Sequence, residues 1–160
     1  MQTHQNPAIG IAWWGRILGV SSDGTSRPDQ PSERVVAQRI RNRVIEYLDL
    51  AGSFEEQREY EINVPIAHVP YEVINQWGDQ FPQGPEREFD RSTVFSADEQ
   101  AAALAFDRVL QEVSRATPDD YPTLDAVQAM PAWDRLRQAA LDAGAVFARR
   151  GKLSEDIEEM

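Results

Sequence analysis

The stretch "SADEQAAALAFDRVLQEVSRA", residues 96–116, decides how the rest of the chain is read. Ser96 and Glu99 stand at the S-x-x-E spacing of a capping box. There the serine hydroxyl accepts the third backbone N–H of a helix and the glutamate reaches back to the first. Ala102, Phe106, Val109, Val113 and Ala116 then recur at three- and four-residue steps, with Leu110 beside them. That period puts them on one helical face, and the charged residues Asp107, Arg108 and Glu112 on others. The spacing predicts an amphipathic helix of about twenty residues that must bury its stripe against a partner.

The partner is found downstream. "TPDDYP" breaks the chain at residues 117–122, Thr123 caps a short helix reaching Met130, and Pro131 suits the first turn of another helix. Trp133, Leu136, Ala140, Ala143 and Phe147 alternate by threes and fours, and the alanines let a neighbouring helix come close. Phe106, Val109 and Val113 are expected to meet Leu136, Ala140 and Phe147. Gly151 ends this helix, and the acidic residues 152–160 read as a frayed end, like residues 1–7.

Upstream, Ser32 is placed to cap a helix over about residues 32–51. Val36, Ile40, Val44, Tyr47, Leu48 and Ala51 form its apolar face, and Gly52 serves as a left-handed stop. "SFEE" repeats the capping-box spacing with Ser53 and Glu56 and opens a helix to about residue 62. Pro65 closes that helix and Pro70 fits the start of the next, over about residues 70–79, with Val73, Ile74 and Trp77 on its apolar stripe. A short strand at Thr93 to Phe95 is compatible with the connection that follows. Residues 8–20, "AIGIAWWGRILGV", have a mixed period that fits either helix or strand. Together these patterns describe one mainly α domain, residues 1–160: an irregular bundle of about five to six helices with room for one or two short strands.

Composition narrows function by exclusion. The 160 residues carry a formal net charge of −11, with Lys152 the sole lysine and no cysteine. Binding to phosphate backbones draws on clustered cations, so a nucleic-acid partner is not expected. Nor is an anionic membrane surface, and the 8–20 run is too short to span a bilayer. Without cysteine there is no disulfide, thiolate nucleophile or zinc–thiolate site, which suits a cytoplasmic protein. Glu-x-x-His, H-E-x-x-H, EF-hand, P-loop, G-x-G-x-x-G and G-x-S-x-G patterns do not occur, and no cofactor or metal is expected.

Two functional readings follow. The first is a non-enzymatic protein that acts by binding another protein, one with a basic surface, or a second copy of itself as a homo-oligomer. Trp13 or Trp14, with Ile17 and Leu18, would supply its sticky patch. The alternative is a small-molecule-binding protein or enzyme. In it His68 works with Tyr71 and Glu72 as an acid–base group, and Arg39, Arg43 and Trp77 line the ligand pocket. The plain counter-reading is structural. His68 would sit in a loop stiffened by Pro65 and Pro70, Trp77 in the core, and Arg34, Arg39, Arg41 and Arg43 would pair with Glu55, Glu56, Glu59 and Glu61 across a helix seam.

Overall fold

Residues 30–81 and 94–160 are described by the computed structural model. The helices among them are α1 (Glu33–Gly52), α2 (Phe54–Asn63), α3 (Val69–Gln80), α4 (Ala97–Ala116), α5 (Leu124–Gln128) and α6 (Pro131–Ala148), and these residues contain no strand. The chain is a mainly α bundle. Val94 and Phe95 form a turn and a bend with buried side chains in place of the expected strand, and Thr93 lies outside the described residues.

Local sequence explains the helix starts. Ser32, Ser53, Ser96 and Thr123 each accept a backbone N–H three residues on. The box at Ser96 is complete: Glu99 N donates to Ser96 Oγ (3.2 Å) and Ser96 N to Glu99 Oε2 (3.0 Å). At Ser53 only the forward half forms. Its own N–H instead donates to Leu50 O and closes α1, which ends one residue earlier.

Gly52 also departs from expectation. It keeps helical backbone rather than the left-handed stop, because α6 crosses there. A Cβ at Gly52 would lie 3.2 Å from Leu141 Cδ2 and 3.7 Å from Ala140 Cβ. The left-handed stop is found at Gly151 (φ +67°), after α6.

Helix α6 is the centre of the bundle, packed against both α4 and α1. Trp133, Leu136, Ala140, Ala143 and Phe147 are all buried, as their spacing predicts. On α4 the buried face is turned by about one position from the expected stripe. Glu99, Ala103, Phe106, Leu110 and Val113 are buried, Ala102 and Val109 half-buried, and Ala116 exposed. Polar anchors at both ends set this rotation. Two arginines draw Glu99 inward, and Thr117 accepts from Trp133 Nε1 (3.0 Å) while donating to Val113 O (2.8 Å). Trp77 of α3 completes the core. Its ring lies 4.7 Å from Phe106, edge to face, and 5.1 Å from Phe81, and its Nε1 donates to Asp107 Oδ1 (3.0 Å).

The C-terminal residues do not fray. Past Gly151 the chain folds back along α1, where buried side chains hold its main chain. Gln38 Nε2 donates to Ser154 O (2.7 Å) and Ile157 O (2.8 Å), and Asn42 both donates to Leu153 O (2.8 Å) and accepts from Leu153 N (2.9 Å). These residues read as loose because their own side chains are polar and acidic. What fixes them is the hydrogen-bonding capacity of α1, which burial makes costly to leave unmet.

Candidate functional site

The link between α2 and α3 forms a corner. Val64 N–H donates to Tyr60 O and Ala67 N–H to Val64 O, a tight turn that Pro65 suits by lacking a donor. His68 is the N-cap of α3, its Nδ1 accepting from Tyr71 N (3.4 Å), and Pro70 occupies the first turn. A histidine whose acceptor nitrogen caps a helix is being used as structure, as asparagine or serine is elsewhere. Glu72, expected to orient it, instead accepts from Gln76 Nε2 (2.7 Å).

A third aromatic joins from across the bundle. Tyr121, in the turn before α5, has φ +48°, a left-handed backbone that is uncommon for a bulky residue. Its ring packs edge-on against Tyr71 (5.2 Å between centroids) and His68 (6.1 Å). Its hydroxyl accepts from Asn75 Nδ2 (3.0 Å), which also donates to Tyr71 O (2.8 Å). The strained residue thus props up the first turn of α3.

This corner shows three large apolar side chains to solvent beside Glu61, Asn63 and His68. Ile62 is 75% exposed, Ile66 70% and Tyr71 49%, within ten residues of chain. Beside it run the carboxylates of α2, with Glu55, Glu56, Glu59 and Glu61 all exposed. They do not find the arginines of α1 as expected, since no ion pair among the described residues includes any of the four. The Glu56 carboxyl is pushed above its usual range by burial and by the nearby charges of Asp49, Glu59 and Glu55. Among the described residues the ridge is thus net negative, four glutamates to the single cation Arg58 on the same helix. No three histidine, aspartate or glutamate side chains among the described residues come together as a metal site.

The arginines go elsewhere. Arg39 donates to Glu155 O (2.7 Å) and lies 3.9 Å from Asp156, and Arg43 pairs with Glu46 (2.6 Å). Arg41, which the wheel placed at an edge of α1, is wholly buried against Glu99 (2.6 Å), and Arg150 meets the same carboxylate from the other side (2.6 Å). Glu99 accepts two hydrogen bonds from each guanidinium and one from Ser96 N. Burial alone would raise its pKa, but the bonds from Arg41, Arg150 and Ser96 outweigh it and hold the carboxyl at about 2. With its lone pairs taken and its charge fixed, Glu99 is a structural anion and no proton shuttle.

The expected ligand-pocket residues are thus in three separate environments: Trp77 in the core, Arg39 and Arg43 on α1, His68 and Tyr71 at the corner. Trp13, Trp14, Ile17 and Leu18, expected at an interface, lie outside the described residues. The sequence carries little sign of the exposed isoleucines: Ile62 is next to last in α2 and Ile66 lies in the link, so no apolar period assigns either to a face. The signal available was their position beside Pro65, outside any helical stripe. No family model, curated protein or solved structure matches this chain.

Proposed function

We propose that the protein acts by binding another protein through the α2–α3 corner. One observation carries the reading: Ile62 at the end of α2, Ile66 in the link and Tyr71 in the first turn of α3 are each exposed, on a corner whose backbone is fixed by Pro65, Pro70, the His68 cap and Tyr121. Exposed apolar groups on a rigid support are the usual anchors of an interface, because little ordering entropy is lost when they are covered. The acidic ridge of α2 sets the chemistry of the partner. It fits an apolar hollow with lysines or arginines at its rim, and it repels a second copy of a chain whose net charge is −11.

The test uses affinity capture from native lysate with the intact protein and with an Ile62→Lys/Ile66→Lys variant. Both side chains are largely exposed, so the variant should keep its helical circular dichroism and its unfolding midpoint. A stoichiometric partner that the intact protein retains and the variant loses is the expected result, with association slowing as salt is raised. Equal retention by both proteins sinks the reading.

A further inference from the structure

The contact between α1 and residues 152–160 has the form of a receptor holding a ligand. α1 supplies side chains and the C-terminal segment supplies main chain. Besides the bonds to Ser154, Ile157 and Leu153, Gln38 Oε1 accepts from Glu159 N (2.8 Å), Arg34 Nε donates to Glu159 O (2.7 Å) and Arg39 Nε to Glu155 O (2.7 Å). Gln38 and Asn42 are buried to within 1% of complete. Meanwhile the segment puts little apolar surface away: Ile157 and Met160 are exposed, and Leu153 is only partly buried. A segment held by its backbone over a polar face, with its largest side chains in water, has little hydrophobic stabilisation to keep it there. It leaves α6 through Gly151, whose left-handed backbone (φ +67°) sets its direction along α1.

The face beneath it is unlike the rest of the protein. Arg34 and Arg39 line it, in a chain of net charge −11. The segment it holds carries Glu155, Asp156, Glu158 and Glu159. We propose that this face of α1 is a binding site for an extended acidic protein segment supplied in trans, and that residues 152–160 occupy it in cis as a competitor. Gln38, Asn42 and Arg34 read the main chain of the incoming segment, and Arg39, 3.9 Å from Asp156 in the cis arrangement, favours its charge. The site is independent of the α2–α3 corner, which favours a partner of the opposite sign.

The experiment keeps the chain at full length. Leu153→Pro and Glu159→Pro together delete the two N–H groups given to Asn42 and Gln38 and leave the receptor face untouched. A labelled peptide of sequence KLSEDIEEM is titrated into both proteins by fluorescence anisotropy. A tethered segment competes at an effective concentration on the order of millimolar, so the peptide should bind the double-proline variant at least about tenfold more tightly than the parent. Adding Gln38→Leu to that variant should abolish binding. A peptide with its four carboxylates changed to lysine should bind at least about tenfold more weakly, by loss of contact with the arginines. The proposal is overturned if the folded variant does not take the peptide, or if the lysine peptide binds equally well. It is overturned as well if the variant has lost its helical signal and cooperative unfolding, since the segment would then be an integral part of the fold and not an exchangeable occupant.

Discussion

Helix α6 meets α4 through Trp133, Leu136 and Phe147 against Phe106, Leu110 and Val113, a seam of interlocked apolar side chains. Helix α1 meets the end of the chain through Gln38, Asn42 and Arg41, with Glu99 and Arg150 locking α1, α4 and the residues after α6 at one point. Both seams bury their side chains to a similar degree. They differ in what happens when one member is removed. An apolar seam loses transfer and packing energy in proportion to the volume deleted, and its neighbours relax partly into the gap. A polar seam leaves donors or charges in the interior with no partner, and relaxation recovers little.

The sharpest way to break the comparison is Glu99→Ala. It strands the Arg41 guanidinium, which is wholly buried, and should cost about 3–5 kcal/mol, with about 1 kcal/mol more from the lost capping box. The milder Glu99→Gln exposes the pH dependence. The folded carboxyl titrates at about 2 against an ordinary 4.5, so its charge stabilises the fold fully above about pH 4.5. That contribution fades as pH falls from there towards 2. Urea midpoints measured across this window should fall more steeply for the parent than for Glu99→Gln. Parallel curves would mean that the two arginines do not depend on the charge.

Phe106→Ala probes the other seam. Phe106 is 1% exposed and touches the rings of Trp77 and Tyr47, so the truncation should cost about 3–5 kcal/mol through the cavity it leaves. Its cost should depend far less on pH than that of the Glu99 variants, since the rings Phe106 touches, Trp77 and Tyr47, are uncharged from neutral to acid pH. A slope like that of the Glu99 variants would show that the two seams are coupled through α4 and fail together.

The contrast also explains what could be read from the residues alone. Trp133 to Phe147, the caps at Ser32, Ser96 and Thr123, and the proline starts of α3 and α6 follow from local periodicity and local hydrogen bonding, which one segment carries by itself. Nothing local marks Arg41, Gln38 and Asn42 as buried, because a pattern that ranks side chains by polarity cannot see a distant partner. Their burial depends on residues 99 and 150–159, separated from them by more than fifty positions. The same blindness turned the α4 stripe by one position: Ala102, Val109 and Ala116 are the better apolar set, but Glu99 and Thr117 determine which way the helix faces. At the α2–α3 corner, the residue type of His68 is legible as an acid–base group, but its capping bond to Tyr71 N is not. The exposed isoleucines beside it belong to no period at all.

The smallest effect tests whether α4 has an outer face at all. Arg108 is exposed, two positions beyond Phe106 and next to half-buried Val109. A helix turned further toward Ala102 and Ala116 would carry Arg108 away from solvent and lay its stem over the core. In the observed orientation Arg108→Ala removes only a solvated charge and improves helix propensity slightly, so stability should change by no more than about 0.5 kcal/mol. Denaturation of Arg108→Ala beside Phe106→Ala under one set of conditions gives the difference directly. A loss above about 1 kcal/mol at Arg108 would mean that its aliphatic stem covers apolar surface, and that the one-position rotation assigned to α4 is too large.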